Sequence, residues 1–165
     1  MAGAVAMALV SFGANAANQG QGIVNFKGTV IDAPCGIAPE SADQSIDFGQ
    51  ISKSHLNTDG ISVKKDLNIK LVNCEPGKNV AVTFTGATVS GAPTELGTAG
   101  DTGTAVVISG QDGKLVSFGT EGAAQSLKEG ENTLHYSSWV KKATNTESVK
   151  EGDFTAVANF NLTYN

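Results

Sequence analysis

Short stretches in which apolar and polar residues alternate recur along this chain, and the clearest is its last twelve residues, FTAVANFNLTYN. Phe154, Ala156, Ala158, Phe160, Leu162 and Tyr164 fall on one face; Thr155, Asn159, Asn161 and Thr163 fall on the other, with Val157 the only apolar exception. A period of two marks a strand with one buried side. Near the other end IVNFKGTVID alternates in the same way. Between them SIDFGQIS, LNIKLVN, VAVTFTG, TAVVIS, KLVSF and TLHYSSWVKK are short, β-favouring and bounded by turn signals.

No stretch of useful length repeats at the helical period, so the pattern predicts a single all-β domain, an antiparallel sandwich or barrel without internal repeats. EPGKN after Cys74 and QDGK at residues 111–114 supply turns, and the Asp-Gly of the second suits a tight hairpin. The Gly/Thr/Ala-rich piece SGAPTELGTAGDTGTA reads as a surface loop, and a short helical turn is expected at SKSHLN or AAQSLKEG.

Composition adds a compartment. The apolar start MAGAVAMALVSFGANAANQG ends in the small-residue pattern Ala14-Asn15-Ala16, which predicts a signal peptide over residues 1–16, truncated at its basic end because the first basic residue is Lys27. The apolar run is too short to cross a membrane, which takes about 20 residues. Two cysteines, Cys35 and Cys74, agree with export to an oxidising compartment, where a single pair is most simply a disulfide. With 11 basic against 16 acidic residues, a net charge of -5 and no basic stripe, nucleic acid is not expected as a partner.

Candidate chemistry is sparse. His55 and His135 are the only histidines, neither beside a second ligand at metal-binding spacing, so no metal or cofactor is expected. Asp101-Thr102-Gly103 matches the aspartic-protease triplet, but no apolar strand leads into it and that mechanism needs two such carboxylates. The sequon at Asn161 lies inside the terminal strand, and Ser137, Ser138, Lys141 and Lys142 have no nucleophile–base pattern around them. No catalytic residues are assigned.

The informative features are the two ends. From Gly20 to Asp32 no turn lets the chain reverse, and Gly20, Gly22, Val24, Phe26 and Gly28 share a face. Fully extended, that run measures about 43 Å, more than the roughly 38 Å breadth expected of a compact domain of this mass. Its first half is expected to project, and a projecting strand with an apolar face is an aggregation hazard without a designated acceptor.

FKGTVIDAPC, ADQSIDFGQIS, LVNC, TAVVI, GENTLHY and GDFTAVANFNLTYN together resemble the chaperone-usher pilins, most nearly the rod subunits of pyelonephritis-associated pili. The likeness runs over the whole chain from about Gly20. It includes a penultimate aromatic, Tyr164, the alternating face before it, and Gly152, fourteenth from the end; the cysteine spacing also matches that family's single disulfide. The resemblance implies an incomplete immunoglobulin-like sandwich that lacks its last strand and is completed by a donor strand from another chain. It further implies a donor extension over residues 17–28 carrying Gly20, Gly22, Val24, Phe26 and Gly28, with Gly22 in a shallow pocket. The pilin domain would span residues 29–165, and its acceptor strand would carry Gly152, Phe154, Ala156, Ala158, Phe160, Leu162 and Tyr164. Implied partners are other copies of the subunit, a periplasmic chaperone, an outer-membrane usher, and adaptor or tip subunits. The implied place is an extracellular pilus reached through the periplasm. A self-contained secreted binding module, such as a minor adaptor or adhesin, is the alternative, distinguished by being stable as a monomer.

Overall fold

A computed structural model describes residues 20–165; the predicted signal peptide and residues 17–19 of the expected extension lie outside them. The chain divides after Ile31, and the main unit is Asp32–Asn165. In chain order its elements are β1 (Gly36–Ile37), α1 (Pro39–Ala42), α2 (Lys53–Asn57), β2 (Lys65–Cys74), β3 (Asn79–Thr85), β4 (Thr88–Val89), β5 (Ala92–Gly97), β6 (Thr104–Gly110), β7 (Gln125–Ser126), β8 (Gly130–Lys142) and β9 (Asn159–Tyr164). The strands form a six-stranded sheet, β1-β2-β8-β6-β5-β4, and a three-stranded sheet, β7-β3-β9. Every pairing is antiparallel.

The alternation read from the sequence decides what faces inward. Ile69 and Leu71 of β2, Leu134, Tyr136 and Val140 of β8, and Val106 and Ile108 of β6 meet Val80, Val82 and Phe84 of β3 in one core. His135, by contrast, stands on the outer face and bonds Asn68 opposite it at 3.0 Å. Cys35 and Cys74 are joined, their Cα atoms 4.2 Å apart, so the segment before β1 is tied to the end of β2.

Several sequence expectations need correction. Residues 92–97, expected within a surface loop, form β5, where Leu96 pairs with both Thr88 and Val106; burial of Leu96 and Glu95 outweighs the weak strand propensity of APTELG. AAQSLKEG contains β7 rather than a helical turn, because Asn79 and Val80 supply ladder partners at Ser126 and Gln125. Of the two sites expected for a helical turn, SKSHLN forms it, at residues 53–57, where the Ser52 hydroxyl accepts the His55 N–H at 3.4 Å. KLVSF is reduced to one bridge, Leu115 to Ser109. Neither IVNFKGTVID nor SIDFGQIS holds a ladder. Along the second and the Gln44 before it, Gln44, Ile46 and Phe48 are half-buried while Ser45, Asp47 and Gly49 are exposed, the alternation of a strand without a partner.

The connection from β8 to β9 is pinned by a buried carboxylate. Glu95 accepts hydrogen bonds from the Thr144 N–H, at 2.8 Å, and from the Thr144 hydroxyl, with the Lys141 ammonium at 3.3 Å. Burial pushes its pKa up, but the Thr144 bonds and the Lys141 charge outweigh that and hold it below the ordinary value. The unfolded chain therefore binds a proton at Glu95 before the folded chain does as pH falls. Stability contributed by Glu95 is complete above an ordinary pKa of about 4.3 and is lost below it. Denaturant midpoints measured between about pH 5 and 3 will fall with pH, with a shallower slope for Glu95→Gln. Equal slopes would remove Glu95 as a source of acid lability.

Candidate functional site: an open groove along the C-terminal strand

β9 pairs with β3 over six positions, from Val80 opposite Tyr164 to Thr85 opposite Asn159. Among the described residues no strand lies on its other side. Phe160, Leu162 and Tyr164 consequently pack against the core but remain only half-buried. Burial raises the pKa of Tyr164, so its phenol stays neutral.

The expected unbroken strand over residues 154–164 is interrupted, because the chain changes sheets. Thr155 pairs with Ala99, just after β5 of the six-stranded sheet, through bonds of 2.8 and 3.1 Å, whereas Asn159 pairs with Thr85 in the other sheet. Residues 156–158 span the gap: Ala156 and Val157 are exposed and Ala158 is half-buried. Two glycines permit the crossing. A side chain at Gly86 would strike Leu96 and crowd the Val157 carbonyl, and one at Gly100, which also has φ +109°, would strike the Asp153 carbonyl. Gly152, singled out in the sequence, has φ +144°, where a side chain would be strained.

This edge borders an open groove with two connected chambers. The first, about 730 Å³, is lined by residues 154–160 on one lip and residues 41–46 with Phe48 on the other, and Leu67, Phe84, Leu96, Val106 and Ile108 form its floor. The second, about 770 Å³, continues between residues 46–53 and residues 149–154, with Thr102 and Thr104 at its base. Ile46, Phe48 and Phe154 line both. The floor is the core itself: Phe84, which is 2% exposed, stands edge-on to Tyr136 at 5.0 Å and tilted to Phe160 at 6.2 Å. The N-terminal lip is anchored by Gln44, whose side chain donates to the Asn68 carbonyl at 2.9 Å.

Of the expected C-terminal residues, Gly152, Phe154, Ala156, Ala158 and Phe160 line the groove, Ala156 being exposed, while Leu162 and Tyr164 lie farther along β9 and line neither chamber. In the other unit, residues 20–31 carry no strand and are exposed; Val24 is 73% and Phe26 92% accessible, and the same-parity Val30 is fully so. Alternation in sequence marked the C-terminal lip as the acceptor strand and SIDFGQIS only as a strand, whereas the floor residues Leu96 and Leu67 and the glycines beneath the crossing needed the topology.

The other candidates have structural roles. Asp101 turns the chain at φ 57°, and Thr102 links its hydroxyl to Thr104 at 2.8 Å. His55 bonds the Ile61 carbonyl at 2.9 Å. Among the described residues no group of three or more His, Cys, Asp or Glu side chains is placed to hold a metal.

The sequence profile of the fimbrial protein family matches residues 24–165. This chain belongs to the fimbrial protein family. It is 54% identical over 179 residues to the Pap fimbrial major pilin protein of Escherichia coli, covering 99% of this chain and 97% of that one. Among solved structures it superposes on a chain of a chaperone-usher pilus with a TM-score of 0.83, at 53% identity over 89% of this chain and 97% of that one. On the crystal structure of the P pilus rod subunit PapA the TM-score is 0.76, at 50% identity over 81% of this chain and 100% of that one. The fold is therefore an all-β, immunoglobulin-like sandwich. The family is structural rather than enzymatic, which ends the protease reading of Asp101, and its pilins form extracellular pili in which this chain is a structural subunit.

Proposed function

We propose that this subunit forms the pilus rod by head-to-tail strand donation: the extension of one copy fills the groove of the next. The observation that carries this reading is the groove, where core residues Phe84, Leu96, Val106 and Ile108 line open space beside the free edge of β9. The donor face is Gly20, Gly22, Val24, Phe26 and Gly28, drawn from an extension over residues 17–28 that follows a cleaved leader, with the pilin domain over residues 29–165. Nine residues from 20 to 28 reach about 30 Å when extended, longer than the roughly 20 Å of the six-residue β9.

Strand addition joins two kinds of binding. Main-chain bonds along β9 supply affinity, and alternate side chains entering the groove supply register. Burying Val24 and Phe26 contributes about 1.5–3 kcal/mol each, and each ladder bond about 1 kcal/mol net. Dissociation re-exposes the acceptor's floor as well, so the joint is long-lived. Such contacts are heterologous and do not close, so they propagate a filament. Before assembly the same groove would be held by a periplasmic chaperone, with transfer at an outer-membrane usher and adaptor or tip subunits at the filament end. The test is a chain lacking the residues before Lys27. It will give only monomer on denaturing gels without boiling, where the parent gives a heat-resistant ladder; a persistent ladder would sink the reading.

A further inference from the structure

The two lips of the groove come from distant parts of the chain, and at the end of the second chamber two polar ties join them. Lys53 reaches Glu151 at 2.9 Å, with side chains 48% and 84% exposed. Asn57 makes the other: its Oδ1 accepts the Val149 N–H at 2.7 Å, and its Nδ2 donates to the Val149 carbonyl at 3.4 Å. One carboxamide thereby stands in for the two backbone bonds of a neighbouring strand. The two ties are unequal, because an exposed ion pair is screened by salt and holds little. The Asn57 pair serves a residue that is 5% exposed, between α2, whose Leu56 is 2% exposed, and the chain leading into Gly152. Without Asn57 the Val149 N–H would lose its partner in a place where water replaces it poorly.

We infer that Asn57 is a positioning residue that fixes the spacing of the groove's lips and so sets how long a donor strand is retained. The inference rests on the strand-donation reading. A strand seated between two others needs its neighbours about 10 Å apart, two ladder spacings. The lip over residues 150–158 has few anchors of its own: Lys150 N–H bonds the Thr102 carbonyl at 2.9 Å, and Thr155 bridges Ala99. Freed at Val149, this lip gains play at the end where both lips must hold the incoming strand.

The experiment compares multimers assembled from the full chain with those of Asn57→Ala, Asn57→Asp and Lys53→Ala. It reads the rate of collapse to monomer in detergent on warming, and amide hydrogen exchange residue by residue. Asn57→Ala will release its donor about tenfold faster, with faster exchange confined to residues 149–158 and β2 and β8 unchanged. Asn57→Asp, which keeps the acceptor but loses the donor, will fall between alanine and parent, and decides the matter if the alanine variant does not fold. Lys53→Ala will match the parent at moderate salt. Parent-like release in the Asn57 variants, or exchange accelerated evenly across both sheets, would overturn the inference. If the chain lacking residues before Lys27 still forms ladders, the fault lies in strand donation itself.

Discussion

Replacing Phe84 by alanine will lower the unfolding free energy by about 3–5 kcal/mol, the usual cost of deleting a buried aromatic side chain. Phe84 is more consequential than its burial suggests. Its ring is the meeting point of β3, β8 and β9, edge-on to Tyr136 and tilted toward Phe160, and it also lies on the groove floor. Loss of the ring merges a packing defect with an opening that already reaches the core, so collapse of the surroundings cannot repair it as in a closed interior. Denaturant titration of parent and variant by circular dichroism measures the cost. A loss below about 1 kcal/mol, the size of an ordinary surface substitution, would mean that the floor is already loosely packed.

Loss of the Cys35–Cys74 bond will cost about 4 kcal/mol, the chain-entropy value for a closed loop of this size. The sequence separation is 39 residues, and both cysteines are 4% exposed. The bond matters for the groove because the loop it closes holds the N-terminal lip, α2 and β2. β2 ends irregularly, with a register shift between Leu71 and Cys74 and Asn73 at φ 54°, and the crosslink adds to the Gly130 pairing that holds Cys74. Unfolding midpoints with and without reductant, repeated on the Cys35→Ser/Cys74→Ser chain, provide the measurement. An unchanged midpoint in both would show that sheet packing alone fixes this corner.

Much of the fold was legible because its central strands carry their own pattern. LNIKLVN, VAVTFT, TAVVIS and TLHYSSWVKK lie within β2, β3, β6 and β8; alternation agrees with burial in β8, and the continuous β-branched run of β6 with a strand buried on both faces. β5 was hidden because Ala92, Pro93 and Gly97 carry little strand signal; its place comes from Leu96, which pairs with Thr88 and Val106 on either side and is buried in the core. The groove was half legible. Both lips alternate, yet SIDFGQIS forms no ladder, since alternation reports which side is apolar and not whether a partner is present. Asn57 left no trace at all: one asparagine in a five-residue helix gains meaning only when Val149 is brought beside it.

The six-stranded sheet ends on β1 and β4, each two residues long. Edges that short offer poor templates for a passing strand, while residues 117–127 run along the far side of β3 through β7 and bonds to Phe84, Val82 and Lys78. Among the described residues, the six-residue β9 is the longest of the strands that end a sheet. On the strand-donation proposal, growth then follows a single line, because the donor of each copy has one long edge to join.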